Sequence, residues 1–314
     1  MAMLTKPAIN KIKRQNTMLL IKKHWQLYFL LLPTMVYIFI FLYAPMGGVL
    51  MAFQNFSPTL GIFGSPWVGF HHFIRFFNSF VFWDVLRNTI SLSVFNLLGN
   101  FPLPIIFALL LNQLTFKRYQ RFVQTVSYAP HFISTVVLVG MLNVFLSPSM
   151  GIINIIIGLM GGEPIFFMGR AELFLPIYVL TDMWQHTGRA AIIYIATLAG
   201  ISPELHEAAM IDGASKFRRV IHIEIPGLIP VATIMLLLSL GQIMNIGFEK
   251  AFLMQNNLNI VRSEIISTYV YKVGLLGAQW SFATAVGLFN SLIGFSLVIG
   301  VNTLARKFSS TSLW

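Results

Sequence analysis

Six runs of mostly apolar residues organise the chain, each near or above the roughly 20 residues that an α-helix needs to cross the hydrocarbon core of a bilayer. They extend from about Gln26 to Phe53, Asn88 to Asn112, Phe122 to Leu146, Leu173 to Gly200, Leu228 to Phe248 and Phe282 to Ala305. In lipid every backbone N–H and C=O must find its partner within the protein, so runs of this length predict helices. The expected fold is an all-α membrane protein with six transmembrane helices. The first run exceeds the ~7–15-residue core of a signal peptide and has no convincing cleavage site, so it reads as a span. Gln54 to Arg87, rich in Phe, Trp, Gly and Pro, suits the aromatic belt of a membrane interface, and Ser147 to Glu172 is expected to hold a short interfacial helix.

Composition makes the bilayer the solvent. Of 314 residues 56% are hydrophobic and only 10% charged, and the mean hydropathy is +0.76. One membrane domain fits these runs better than two soluble ones. Cysteine is absent, which excludes disulfides, thiol nucleophiles and Cys-based metal sites. A formal net charge of +11 raises the question of a nucleic-acid partner, but the distribution of the basic residues answers it differently. Lys6, Lys11, Lys13, Arg14, Lys22 and Lys23 precede the first run; Lys117, Arg118 and Arg121, then Lys216, Arg218 and Arg219, then Arg306 and Lys307 form three more clusters. With six spans all four clusters fall on one side, which the positive-inside rule identifies as the cytoplasm. Both termini are then cytoplasmic: residues 1–23 form a basic lead-in, 24–308 the six-helix domain and 309–314 a short tail. Arg75, Arg87, Arg170, Lys250, Arg262 and Lys272 fall in the intervening segments, and Arg189 lies within a run.

Polar side chains inside apolar runs are costly in lipid and face a cavity or a partner helix. In the fourth run Asp182, Gln185, His186 and Arg189 recur at i, i+3, i+4 and i+7, beside Trp184. Ser239, Gln242 and Asn245 do so in the fifth, with Glu249 near its outer end, and Tyr128, His131 and Thr135 in the third. Three stripes on consecutive helices can line one cavity. The same pattern serves packing against a partner helix, and Asp182 can pair internally with His186 or Arg189.

The segment Ile201 to Pro230, ISPELHEAAMIDGASKFRRVIHIEIPGLIP, is the most specific part of the chain. Ser202 caps a predicted helix whose first turn holds Pro203 and Glu204. Gly213 supplies the turn that ends it. A second short basic helix, Lys216 to about Ile221, is expected before Pro226 directs the chain into the next span. No GxxxxGK[ST], HExxH or nucleophile motif occurs, so no catalytic residue, metal or cofactor is assigned to this chain.

Glu207-Ala208-Ala209, Asp212-Gly213-Ala214 and Ile223-Glu224-Ile225-Pro226 resemble the EAA loop of ABC importer permeases, with Ile225 in place of the usual Leu. The resemblance implies a type I ABC importer permease fold in a bacterial inner (cytoplasmic) membrane, with this loop (201–226) seated in a cleft of a cytosolic ATPase. Glu207, Ala208, Ala209, Asp212, Gly213, Ala214 and Pro226 then couple transport to ATP and Mg held by the ATPase pair. Three further segments, His24 to Phe56, Ser127 to Met141 and Met150 to Met168, resemble the polysaccharide and lipoprotein-type branch of the sugar permeases. That branch imports oligosaccharides, including oligouronates and plant-wall fragments, with a second permease as heterodimer partner and an external solute-binding protein. By similarity to the larger maltose permease, sugar-contacting places fall near Tyr128, His131, Asp182, Gln185, His186, Gln242 and Asn245. Because the EAA loop is shared among importers, an amino-acid or phosphate permease is the alternative.

Overall fold

The computed structural model describes residues 23–245 and 247–308. Two compact units are distinguished, Met1–Gly69 and Phe70–Trp314. The expected basic segment before Lys23 and the tail from residue 309 lie outside the described residues.

The first unit holds helix α1, Trp25–Phe53, apolar along its length. Pro33 lies inside it, and the helix loosens into a π turn at Phe39–Tyr43 and tightens into a 3₁₀ helix at Ala44–Phe53. The chain beyond returns on itself: Gln54 bridges Trp67, and the Trp67 ring stacks on Phe53 with centroids 5.6 Å apart.

In the second unit α2 (His71–Phe77), α3 (Phe82–Asn100) and α4 (Pro102–Asn112) come first. Pro102 starts α4 without breaking the apolar run, which extends over Phe82–Asn112, six residues earlier than its expected start at Asn88. The third expected span is not one straight helix. It is α5 (Lys117–Tyr128) and α6 (Thr135–Phe145), bent by 97°. Pro130 interrupts the hydrogen-bond ladder in a 3₁₀ turn, Ile133 is extended, and the Ser134 side chain caps α6 by accepting from the Val137 N–H at 3.3 Å. A short helix, α7 (Ile152–Leu159), occupies the expected place between the third and fourth runs.

Helix α8 (Ala171–Ala199) has 29 residues, about 43 Å at ~1.5 Å per residue. It is followed by α9 (Pro203–Ile211) and α10 (Lys216–Gly241). The expected separate basic helix before Pro226 is instead the first turn of α10. A π turn at Val220–Glu224, closed by the Ile225 N–H to the Val220 carbonyl, widens the helix just where Pro226 supplies no donor, and the helix continues. The helix ends at Gly241, short of the expected Phe248. After it come α11 (Phe248–Met254), α12 (Ile266–Tyr271) and α13 (Trp280–Phe308). No strand occurs among the described residues. Among the described residues four helical runs are long and apolar enough to cross a membrane, Trp25–Phe53, Phe82–Asn112, Lys216–Gly241 and Trp280–Thr303, and the bent pair makes a fifth. Helix α8, with Asp182, Gln185, His186 and Arg189 along it, is not in that apolar set.

Among the described residues three apolar clusters hold the second unit together. One joins Leu92, Val139, Leu142, Phe174, Tyr178, Ala251 and Met254, so α3, α6 and α11 pack on the first half of α8. Another joins Phe76, Phe82, Val85, Ile266, Phe282 and Val286 across α2, α3, α12 and α13. The last, Ala108, Ala191, Tyr194, Leu198 and Leu228, binds α4 and α10 to the second half of α8. Contact between α5 and α8 is close because Gly188 lies against the Ser127 carbonyl, where a Cβ would collide.

Candidate functional site

Along α8 the four polar residues at helical spacing do not share one environment. His186 and Arg189 line a cavity of about 720 Å³ with His131, Ile193, Ala196 and Met235. Gln185 does not. It is 4% exposed, and its Nε2 donates to the Ile133 carbonyl at 2.8 Å, at the extended residue between α5 and α6. The bend opens a backbone acceptor there, and Gln185 satisfies it.

The cavity-facing groups form a chain whose proton positions follow from donor inventory. Arg189 only donates, so its Nη1, 3.0 Å from His131 Nε2, makes that nitrogen an acceptor. The His131 proton is then on Nδ1, facing His186 Nδ1 at 3.4 Å. That leaves the His186 proton on Nε2, 3.7 Å from Asp182 Oδ1, an electrostatic contact rather than a hydrogen bond.

Asp182 has a closer partner that the spacing did not reveal. Lys250, expected in a flanking segment, is 4% exposed on α11. Its Nζ lies 3.2 Å from Asp182 Oδ1, donates to the Tyr178 carbonyl at 3.0 Å and sits 4.6 Å from the Tyr178 ring centre. Asn100 Nδ2 donates to the other carboxylate oxygen at 3.1 Å. Asp182 thus joins α3, α8 and α11. Gly247, just before α11, makes the approach possible: its φ is +46°, and a Cβ there would collide with the Tyr178 hydroxyl.

The expected stripe in the third run does not survive the bend, which takes Tyr128, His131 and Thr135 off a common helical face. Ser239 and Gln242 instead face a separate cavity of about 280 Å³ with Ser93, Asn96 and Asn100 of α3. Trp184 is exposed on the opposite side of α8 from His186, and Glu249 is exposed on α11. The Asn245 side chain lies outside the described residues. Among the described residues no group of three or more His, Cys, Asp or Glu side chains is placed to hold a metal ion.

At the other end of α8, helix α9 is built by local rules. Ser202 Oγ accepts from the Glu204 N–H at 3.3 Å, and Pro203 occupies the first turn. At its end the Ala214 N–H reaches the Ala209 carbonyl at 2.8 Å and the Gly213 N–H the Met210 carbonyl at 3.1 Å, the paired bonds of a Schellman cap. Gly213 takes a φ of +75° to allow this. Glu207, Ala208 and Asp212 are exposed, as are Leu205, Met210, Ile211 and Phe217, so the segment presents a partly apolar knob. Glu224, one turn before Leu228, was not singled out as a site residue, yet it is 3% exposed and accepts from Asn112 and Gln113.

Residues 100–310 match the family model described as the binding-protein-dependent transport system inner membrane component. Two Bacillus subtilis proteins are each 41% identical: "Protein LplB", over 98% of this chain and 97% of its own length, and the "Polygalacturonan/rhamnogalacturonan transport system permease protein YteP", over 97% and 95%. A solved bacterial ABC transporter involved in import of the acidic polysaccharide alginate contains a chain 38% identical, superposing with a TM-score of 0.86 over 91% of this chain and 97% of that one. The same kind of chain, in a bacterial alginate transporter bound to a periplasmic protein carrying an alginate pentasaccharide, gives a TM-score of 0.87 at 37% identity, over 93% and 98%. With the helical architecture and the capped α9 segment, these matches place the chain in the family of binding-protein-dependent transport system inner membrane components.

Proposed function

We propose that the chain is one membrane subunit of an ATP-driven importer for acidic oligosaccharides, supplying half of the translocation pathway and working beside a second permease. Six spans with cytoplasmic termini complete the topology: to the four apolar helices and the bent pair, α8 adds a helix long enough to cross despite its charges. The exposed knob of residues 201–226 is the coupling element to a cytosolic ATPase pair, which carries ATP and Mg, and an external solute-binding protein delivers the sugar. Glu207, Ala208, Ala209, Asp212, Gly213, Ala214 and Pro226 serve that coupling.

The observation that carries the substrate class is the cavity of about 720 Å³ lined by Arg189, His131 and His186. Asp182 is engaged by Lys250 and Asn100, so the guanidinium of Arg189 is the cation left to meet a ligand. Guanidinium pairs with carboxylate through a planar fork, which suits a uronate ring. The transporter to which one superposing chain belongs is involved in the import of the acidic polysaccharide alginate, which supports this reading.

The test is uptake into proteoliposomes holding the whole importer, with alginate-derived and galacturonan-derived oligosaccharides compared with neutral maltotriose, an amino acid and phosphate. Acidic oligosaccharide uptake is expected, reduced at least about tenfold by Arg189→Gln, on the ~1.5–3 kcal/mol range of charged hydrogen bonds. Uptake of the amino acid or phosphate without the oligosaccharides overturns the reading.

A further inference from the structure

Glu224 lies between the exposed knob and the first of the spans that the knob must move. Its backbone is the last residue of the π turn Val220–Glu224, two residues before Pro226. Its side chain points away from the knob's own helix toward the end of α4. Oε1 accepts from Asn112 Nδ2 at 3.1 Å and from Gln113 Nε2 at 2.9 Å, and Oε2 accepts from Gln113 Nε2 at 3.0 Å. Asn112 closes α4 and Gln113 caps it. Directly above, Ala108 of α4 and Leu228 of α10 meet in the same apolar cluster against α8. The carboxylate and its two amide partners line a cavity of about 440 Å³ together with His206 and Glu207 of α9 and Lys216 and Arg219 of α10, so α4, α9 and α10 meet around it.

We propose that Glu224 is a positioning residue: a carboxylate clasp that makes the α9–α10 corner and the end of α4 one rigid body, so that displacement of the knob reaches the Phe82–Asn112 span as well as α10. Apolar contact alone does this poorly. Lipid chains are as apolar as the side chains of the cluster, so that contact resists sliding only by shape, whereas hydrogen bonds to a buried carboxylate are directional. The π turn contributes by setting the register that aims residue 224 at α4; an unbroken α-helix would turn it elsewhere on the surface. The clasp rests on the coupling role proposed for residues 201–226, and its test separates the two.

This chain contains no cysteine, so with partner subunits made cysteine-free two introduced cysteines are the sites that take a spin label. Labels at Thr115→Cys and Ile211→Cys, the latter 87% exposed, report the distance between the α4 end and the knob in the full importer, nucleotide-free and trapped with ATP and vanadate. With Glu224 present the distance distribution is expected to stay narrow and the same in both states. Glu224→Gln, which removes the charge and keeps one acceptor oxygen but puts an amide donor where Oε2 accepts from Gln113 Nε2, is expected to broaden it and to lower ATP turnover per assembled complex about two- to thirtyfold. The exchange Gln113→Glu with Glu224→Gln restores a donor–acceptor pair and is expected to restore both readouts. An unchanged distribution or unchanged turnover in Glu224→Gln overturns the clasp. If Gly213→Val lowers turnover while Glu224→Gln does not, the clasp alone fails; if Gly213→Val also leaves turnover intact, the coupling role itself fails.

Discussion

Replacing Lys250 by Met is expected to destabilise the second unit by about 3–5 kcal/mol, because it leaves Asp182 as a buried charge with Asn100 as its remaining hydrogen-bond donor. Methionine keeps most of the volume and the apolar stem, so the loss is one of charge. Two accounts of the pair give different magnitudes. If the Lys250 contacts were ordinary hydrogen bonds in a membrane protein, each would be worth about 0.6 kcal/mol, and losing those to Asp182 and the Tyr178 carbonyl would cost near 1 kcal/mol. If instead the ammonium offsets a carboxylate held away from water, the penalty of the orphaned charge dominates, and cation–π contact over the Tyr178 ring, 4.6 Å away, adds about 0.5–2 kcal/mol. The side chains of Lys250 and Asp182 are 5% and 14% exposed, which favours the larger figure. The assay is unfolding of the purified importer in mixed micelles by added SDS, followed by tryptophan fluorescence, in a double-mutant cycle. Asp182→Asn with Lys250→Met removes both charges and is expected to regain most of the loss. A cost near 1 kcal/mol for Lys250→Met, or a double variant no more stable than the single one, refutes the reasoning.

Gly213→Val is expected to uncouple ATP turnover while the chain still inserts, because a β-branched residue at a φ of +75° costs about 1 kcal/mol or more and opens the Schellman cap; turnover of the purified complex checks it. Gln185→Ala is expected to lower the amount of assembled complex, with transport per complex unchanged, since the Ile133 carbonyl loses its donor at about 1–3 kcal/mol; quantifying assembled complex against uptake decides. Gly188→Ala is expected to force α5 and α8 apart and reduce yield of folded protein, measured by size-exclusion recovery, whereas Gly140→Ala, with nothing within 4 Å, is tolerated.

The polar residues of α8 show how far one-dimensional spacing reaches. Asp182, Gln185, His186 and Arg189 do lie within one broad helical face, but that face meets three different neighbours. Arg189 and His186 open on a cavity, Gln185 meets a bare carbonyl, and Asp182 meets a lysine 68 positions away in the sequence. Periodicity specifies direction from the helix axis and says nothing of what stands there. The bend at Ile133 was partly legible, since Pro130 and Ser134 are a breaker and a cap, but a hydrophobicity window averages over them.

The sequence by itself determined the elements whose physics is local. Apolar runs of membrane length must become helices because lipid offers the backbone no partners. Ser202, Pro203 and Gly213 start and stop α9 because capping uses groups at most six residues apart. Tertiary structure alone decided the pairings: Lys250 with Asp182, Glu224 with Asn112 and Gln113, Gln185 with the Ile133 carbonyl. Each joins groups 52 to 112 positions apart, brought together by helix packing, and no local rule ties one partner's identity to the other's position.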